Sequence, residues 1–419
     1  MKNATRIFSM VVVALMMLAT ACGTKANEGT VVNLRLGVDS GMSPPIIKVI
    51  EGAMDKWNTE NPSIQVVVEV IPEYWVKIPS AFSAGTAPDI IYNTITETTS
   101  TFAELGMYLA LDDYVENSSV VNPEDFVEGI WNAGVWNGST WVIPYNWSDI
   151  GIVYNKEMFD SAGIAYPKAG WTWDEFLTTA QALTQAPDQF GFYVDTWPYM
   201  SIFPFILANG GQVLSEDKST VVADSAEGME AIKFYIDLVR KYKVAPDALE
   251  LGENYEPFAT GVVAMQITRS WAPSTFAEIA PDLKFGATSI PMKVKRINYF
   301  EGSGFGINLK STYPDEAWKV LEYLSGEKQQ KEMGELQIYF PARQATLETI
   351  EWNEAMSAFL EEMPYGLDLQ VVSQWETLTS NWFFWLATPL GGIDPFDLDK
   401  DVADIIAKCN TELAKHPVK

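Results

Sequence analysis

The stretch 143–164, IPYNWSDIGIVYNKEMFDSAGI, decides how this chain folds. It opens on a proline-bounded turn. The apolar run Ile150–Tyr154 has the length of a buried strand and is predicted to be one. Asn155-Lys156 breaks the run, and a short helix then ends at Gly163, the residue type that closes a helix in the left-handed conformation. After a loop around Pro167 and Gly170, TWDEF at Thr172–Phe176 sets Thr172 and Glu175 at capping-box spacing, so another helix starts there. A strand that leads into helices is the building unit of an α/β fold.

The same alternation runs upstream. Val32, Leu34, Leu36 and Val38 alternate with polar or small residues and predict a first strand. Ser43 stands at a helix start with Pro44 at the first helical position. Ile46, Ile47, Ile50, Met54 and Trp57 then share one helical face. Valine-rich Ile64–Ile71 predicts a second strand. Asp89–Tyr92 predicts a third, after a helix that Pro79 is expected to kink. Repeated strand–helix–strand units imply a parallel sheet covered by helices. Asn137-Gly138, between Val135-Trp136 and Thr140-Trp141-Val142, is a hairpin signal. A second alternating series runs from Tyr154 to about Pro291, and no linker separates two independent domains.

The words of the 143–164 segment, in this order, resemble the extracellular solute-binding proteins of ABC sugar importers, the large family that includes maltose-binding proteins. Further words support the resemblance: FSAGTAPDIIY at 82–92, ANGG at 208–211, AMQITRSW at 264–271, EGSGFGINLKS at 301–311 followed by DEAWKVLEYLSGEKQQKEM, and PAR at 341–343. Together they span nearly the whole chain after its N-terminal segment. One departure is Arg269, which stands where the family usually has glycine, two places before Trp271. The resemblance implies a two-lobed α/β fold, each lobe a mostly parallel sheet covered by helices, with the ligand cleft between them. It implies a first lobe of residues 31–146 and 302–345 and a second of 147–301 and 346–419. Hinges are expected near 145–151 and 298–304.

The N-terminus reads as an export segment, 1–21. Lys2 and Arg6 flank the apolar stretch Met10–Leu18, which is too short to span a bilayer as a permanent helix. ATAC at 19–22 resembles a lipoprotein cleavage box with Cys22 as the lipidated residue, although Ala19 stands where a leucine is usual. Residues 22–30 then form a tether from a lipid anchor.

Composition excludes several functions. The chain has 419 residues, is 47% hydrophobic and carries a formal net charge of −27, so nucleic acid is not an expected partner. His416 is the one histidine. A Ser-His-Asp triad or a multi-histidine metal site therefore has no basis, and no cofactor is implied. Cys409 falls on the apolar stripe of the last helix with Val402, Ile405, Ile406 and Leu413. It reads as a small buried hydrophobe, not a reactive thiol.

A sugar offers an apolar C–H face to aromatic rings and hydroxyls to carboxylates and amides. With 15 tryptophans and 17 tyrosines, position must select among the aromatics. By family position, the resemblance points to Trp271, Trp375, Tyr199 and Trp197 as stacking residues. It points to Asn93 and Glu97 after the third strand and Ser40 at the end of the first. Near the crossings it points to Tyr145, Glu301 and Arg343. Arg269 and Arg343 invite two readings: they hold a uronate carboxylate together, or each pairs with an acidic side chain of the protein. The expected activity is capture of a carbohydrate, an oligosaccharide, outside the cytoplasmic membrane and its delivery by a monomer to an ABC permease, without catalysis. The competing readings are an exported glycoside hydrolase, which needs only two carboxylates, and the same fold holding a polyamine, peptide or metal chelate.

Overall fold

The computed structural model describes residues 31–247, 256–367, 372 and 374–415. The export segment, Cys22, the tether and His416 lie outside the described residues. Among the described residues, eleven strands follow in order: β1 (Val32–Asp39), β2 (Ile64–Ile71), β3 (Ile90–Thr94), β4 (Val135–Trp136), β5 (Ser139–Thr140), β6 (Ile143–Asn155), β7 (Met265–Arg269), β8 (Phe285–Thr288), β9 (Asn298–Ile307), β10 (Phe340–Pro341) and β11 (Gly366–Leu367).

The first lobe is built on β2-β1-β3. These strands are parallel, with Val32 opposite Ile64 and Leu36 opposite Ile90. Leu34, Leu36 and Val38 are fully buried, and Ile46, Ile50, Met54 and Trp57 of helix Pro44–Glu60 cover them. Ser43 occupies the N-cap position but makes no side-chain cap bond. Pro45 has no N–H to offer at the second helical position, and the Ile46 N–H at the third donates to Ser43 O at 3.0 Å instead of to the side chain. Asn137 (φ 50°) and Gly138 (φ 77°) both take the left-handed backbone of a type I′ turn between β4 and β5.

Two long strands cross from one lobe to the other. β9 runs antiparallel to β3 and β6, and the C-terminal half of β6 pairs with β7 and β8 in the second lobe. β6 is longer than its sequence suggests. Where a turn and a five-residue strand are expected, Ile143–Asn155 forms one continuous strand with every residue buried. Pro144 is accommodated beside a register shift between Pro144 and Asn146, a place where its missing N–H costs no ladder bond. At the far end Asn155 caps helix Lys156–Ala162, and Gly163 closes it at φ 66°. The capping box of Thr172 and Glu175 forms.

The second lobe has its own core. Ile150 and Ile152 of β6 pack with Phe176, Phe192, Phe205, Ile232 and Tyr235. Trp173 stacks on Phe234 at 4.5 Å and 10°. Cys409 is buried among the apolar residues of helix Leu398–Leu413, and burial pushes its thiol up to about 11. At the crossing, Asn298 Nδ2 of β9 donates to Asp149 Oδ2 of β6 at 2.9 Å, and Ile150 N donates to Asn298 Oδ1 at 3.1 Å. Asp149 is wholly buried, and burial holds its carboxyl well above the usual carboxylate range.

Candidate functional site

Strand register builds the centre of the site. Ser148 of β6 faces Glu301 of β9, and Ile150 of β6 faces Arg269 of β7. Ser148 and Ile150 are two residues apart, so their cross-strand partners project from the same sheet face. Arg269 Nε thus comes within 2.7 Å of Glu301 Oε2 from the opposite side of β6. The N–H is not aligned on the oxygen, so the contact is a charge pair rather than a directed hydrogen bond, and both atoms lack a hydrogen-bond partner.

The pair sits in a cleft of about 500 Å³ between the lobes. The first lobe contributes Trp75, Thr94, Glu97 and Thr98. Glu97 lies in the first turn of helix Ile95–Glu104, where the helix dipole favours a negative charge. The second lobe contributes Asp195, Trp197 and Tyr199 from one segment, Gln266, Thr268 and Arg269 from β7, and Trp271 just after it. Glu256 and Trp375 complete that side.

The aromatic groups differ in how they are presented. Trp197 is 46% exposed and lies parallel to Tyr199, with ring centres 6.3 Å apart. Trp271 and Trp75 are half-buried with surface on the cleft. Tyr199 is held in place, its hydroxyl donating to Thr379 Oγ1 at 3.2 Å. The Arg269 guanidinium lies 5.9 Å from the Tyr199 ring centre. Trp375 is only 2% exposed, so it closes the cleft wall as much as it faces the cavity.

Among the described residues, four carboxylates line the cleft against one guanidinium. Burial pushes the Glu301 carboxyl up, while Arg269 pulls it back. Burial also opposes the Arg269 charge, but Glu301 and Glu97 outweigh that and hold the guanidinium more firmly protonated than usual. Burial raises Asp195 and Glu256 as well, with the Trp197 N–H and Arg269 opposing it at Asp195. Among the described residues, no group of three or more histidine, cysteine, aspartate or glutamate side chains is placed to hold a metal ion.

Of the residues singled out from the sequence, Trp271, Trp375, Tyr199, Trp197, Glu97, Glu301 and Arg269 meet in this cleft. Four do not line it. Asn93 is wholly buried and donates to Thr99 Oγ1 at 2.9 Å while accepting from Thr98. Its polar groups serve the start of the helix behind it. Tyr145 is 1% exposed and packs edge-on against Phe305. Ser40 is exposed at the end of β1, where its N–H pairs with Ile71 O. Arg343 donates to Ser325 O at 2.6 Å and to Asp125 Oδ2 at 3.0 Å, and lies over Phe126. The two arginines therefore do not face one cleft; each is paired with an acidic side chain of the protein. The sequence reading passed over Trp75, Asp195, Glu256 and Gln266. Asp195 stands two residues before Trp197, a proximity that pointed to it.

The model for the family described as bacterial extracellular solute-binding protein matches residues 43–331. A putative binding protein of Brucella abortus is 25% identical over 388 residues, covering 88% of this chain and 90% of that one. An arabinooligosaccharide-binding protein of Halalkalibacterium halodurans is 24% identical over 269 residues, covering 62% and 59%. Among solved structures, an ABC substrate-binding protein of Listeria monocytogenes in complex with cycloalternan superposes with a TM-score of 0.82 at 23% identity, covering 92% of this chain and 99% of that one.

Proposed function

The chain belongs to the bacterial extracellular solute-binding proteins, and from that premise we propose that it captures a carbohydrate in the cleft and delivers it to an ABC permease by closing its lobes. One observation carries the reading. Aromatic faces from both lobes, Trp75 on one side and Trp197 and Trp271 on the other, flank carboxylates of both lobes and of the crossing strand. Rings cover the C–H face of a sugar, and carboxylates hold its hydroxyls through charge-assisted bonds. The arabinooligosaccharide and cycloalternan of the two named relatives support the same ligand class. An oligosaccharide fits a cleft of this size.

The lobes in this reading are 31–146 with 302–345, and 147–301 with 346–419. β6 and β9 then serve as hinges near 145–151 and 298–304, and closure sequesters the ligand. Helix Trp375–Leu390 packs against helix Leu398–Leu413 and helix Ala226–Arg240, which supports placing the C-terminal segment in the second lobe. No bond in the sugar is broken. The protein acts as a monomer outside the cytoplasmic membrane, tethered through a lipidated Cys22 after removal of residues 1–21. A thermal-shift screen with mono- and oligosaccharides tests the ligand class, because a ligand at about 100 times its dissociation constant adds roughly 2.7 kcal/mol of stability. A panel in which no sugar shifts the transition would reject it.

A further inference from the structure

We propose that a second, smaller site lies behind helix Ile95–Glu104 and takes a small uncharged polyol. A cavity of about 240 Å³ lies on the side of this helix away from Glu97, and its lining includes Thr96, Ser100, Asn132, Trp136, Phe300 and Leu367. Thr96 and Ser100 are 4% and 3% exposed, yet neither hydroxyl has a hydrogen-bond partner. The indole N–H of Trp136 is likewise buried without a partner. Positions four apart on a helix share a face, so both hydroxyls point the same way. Buried polar groups are nearly always satisfied, and three orphans lining one cavity mark a place built to receive hydrogen bonds.

The chemistry of the lining selects the occupant. Hydroxyls both donate and accept and the indole donates, which matches neighbouring hydroxyls of a polyol. Phe300 and Leu367 offer apolar contact to its carbon chain. Among the described residues no carboxylate lines the cavity, so a cation finds no counter-charge there. Among the described lining residues Lys218 is the only charged one, and it is already engaged within the protein, so a buried anion would meet no unmatched cation. The volume lies below that of pockets for drug-sized ligands, about 300–1,000 Å³, which limits the occupant to a few carbons. Lys218 and Leu367 come from the second lobe and Thr96 and Ser100 from the first, so the occupant touches both.

The test is an indole ¹H–¹⁵N spectrum of the full mature protein, with the Trp136 signal identified by its loss in Trp136→Phe. Glycerol and erythritol are titrated, with lactate as the anionic comparison. The expected result is a Trp136 shift that saturates with a polyol and not with lactate. The saturating concentration should rise at least tenfold in Thr96→Val/Ser100→Ala while the other indole signals stay in place. If the double variant does not fold, Thr96→Val alone, which keeps the side-chain shape, serves with the same expectation. A shift that grows linearly, saturation by lactate alone, or saturation unchanged in the variant overturns the proposal.

Discussion

Arg269 Nε stands 2.7 Å from Glu301 Oε2, joining strand β7 of the second lobe to the crossing strand β9. Arg269 is the one cation among the described residues of the cleft. Its charge is already matched by a protein carboxylate, and Glu97, Asp195 and Glu256 line the same space. A uronate would meet an acidic surface with no unmatched guanidinium. Calorimetric titration should therefore show a neutral oligosaccharide binding more tightly than its uronic-acid counterpart by about tenfold or more, some 1.4 kcal/mol. Equal affinities would contradict the charge assignment.

Arg269→Ala should cost more than an ordinary surface change. It leaves Glu301 largely buried without its cation, at a cost of about 2–3 kcal/mol, below the full value for a completely buried pair because both side chains keep some exposure. Chemical denaturation of Arg269→Ala and of Arg269→Ala/Glu301→Gln measures it. The double variant should recover part of the loss, and no recovery would mean that the pair does not act as a unit.

Trp271 and Trp375 should separate binding from folding. Trp271 is half-buried beside the cleft, so Trp271→Ala should weaken sugar binding by about 2 kcal/mol while leaving the melting temperature little changed. Trp375 is 2% exposed, so Trp375→Ala should cost about 3 kcal/mol or more in stability. The reverse pattern would move the stacking role to Trp375.

The buried Asp149–Asn298 bond gives a pH dependence. Burial raises the Asp149 carboxyl in the folded protein above its ordinary value of 3.8, so folding favours the protonated form. Its contribution is fully present below about 3.8, the unfolded value, and is lost as pH climbs through the raised folded value. Asp149→Asn, a neutral side chain of the same shape, should remove that slope and stabilise the protein at neutral pH relative to the parent. Urea unfolding at a series of pH values reads the difference, and parallel curves for the two proteins would show that Asp149 does not titrate in this way.

The two cysteines should behave oppositely. Cys22→Ala should shift the protein from the membrane to the soluble fraction, because the lipidated cysteine is the proposed anchor and stable anchoring needs more than one hydrocarbon chain. Unchanged membrane association would reject lipidation. Cys409 is buried, with its thiol pushed up to about 11. It should resist alkylation in the native protein and react on unfolding, as read by mass of the C-terminal peptide. Rapid labelling in native buffer would contradict its place in the core.

Much of the fold was legible because its signals are local. Alternation found β1, valine content found β2 with its ends, and Asn137-Gly138 found the hairpin. β6 was read as too short because Pro144 looks like a turn residue, and only pairing with β9 shows that a bulge absorbs it. The cleft was legible where family order fixes a position, as at Trp271 and Glu301. Asn93 and Tyr145 lie close along the chain to helix and crossing residues, but their side chains turn into the interior. That choice depends on partners such as Thr99 and Phe305, which no spacing reveals. Trp75 and Glu256 reach the cleft from separate segments with no repeating pattern to mark them.

Calorimetric titration of neutral oligosaccharides against the wild-type protein and Trp271→Ala, with chromatography of the recovered sugar, tests the central claim most directly. The account predicts saturable binding of one sugar per chain, markedly weaker in Trp271→Ala, and sugar recovered intact. No saturable binding across the panel, binding indifferent to Trp271, or a sugar recovered in pieces would contradict it.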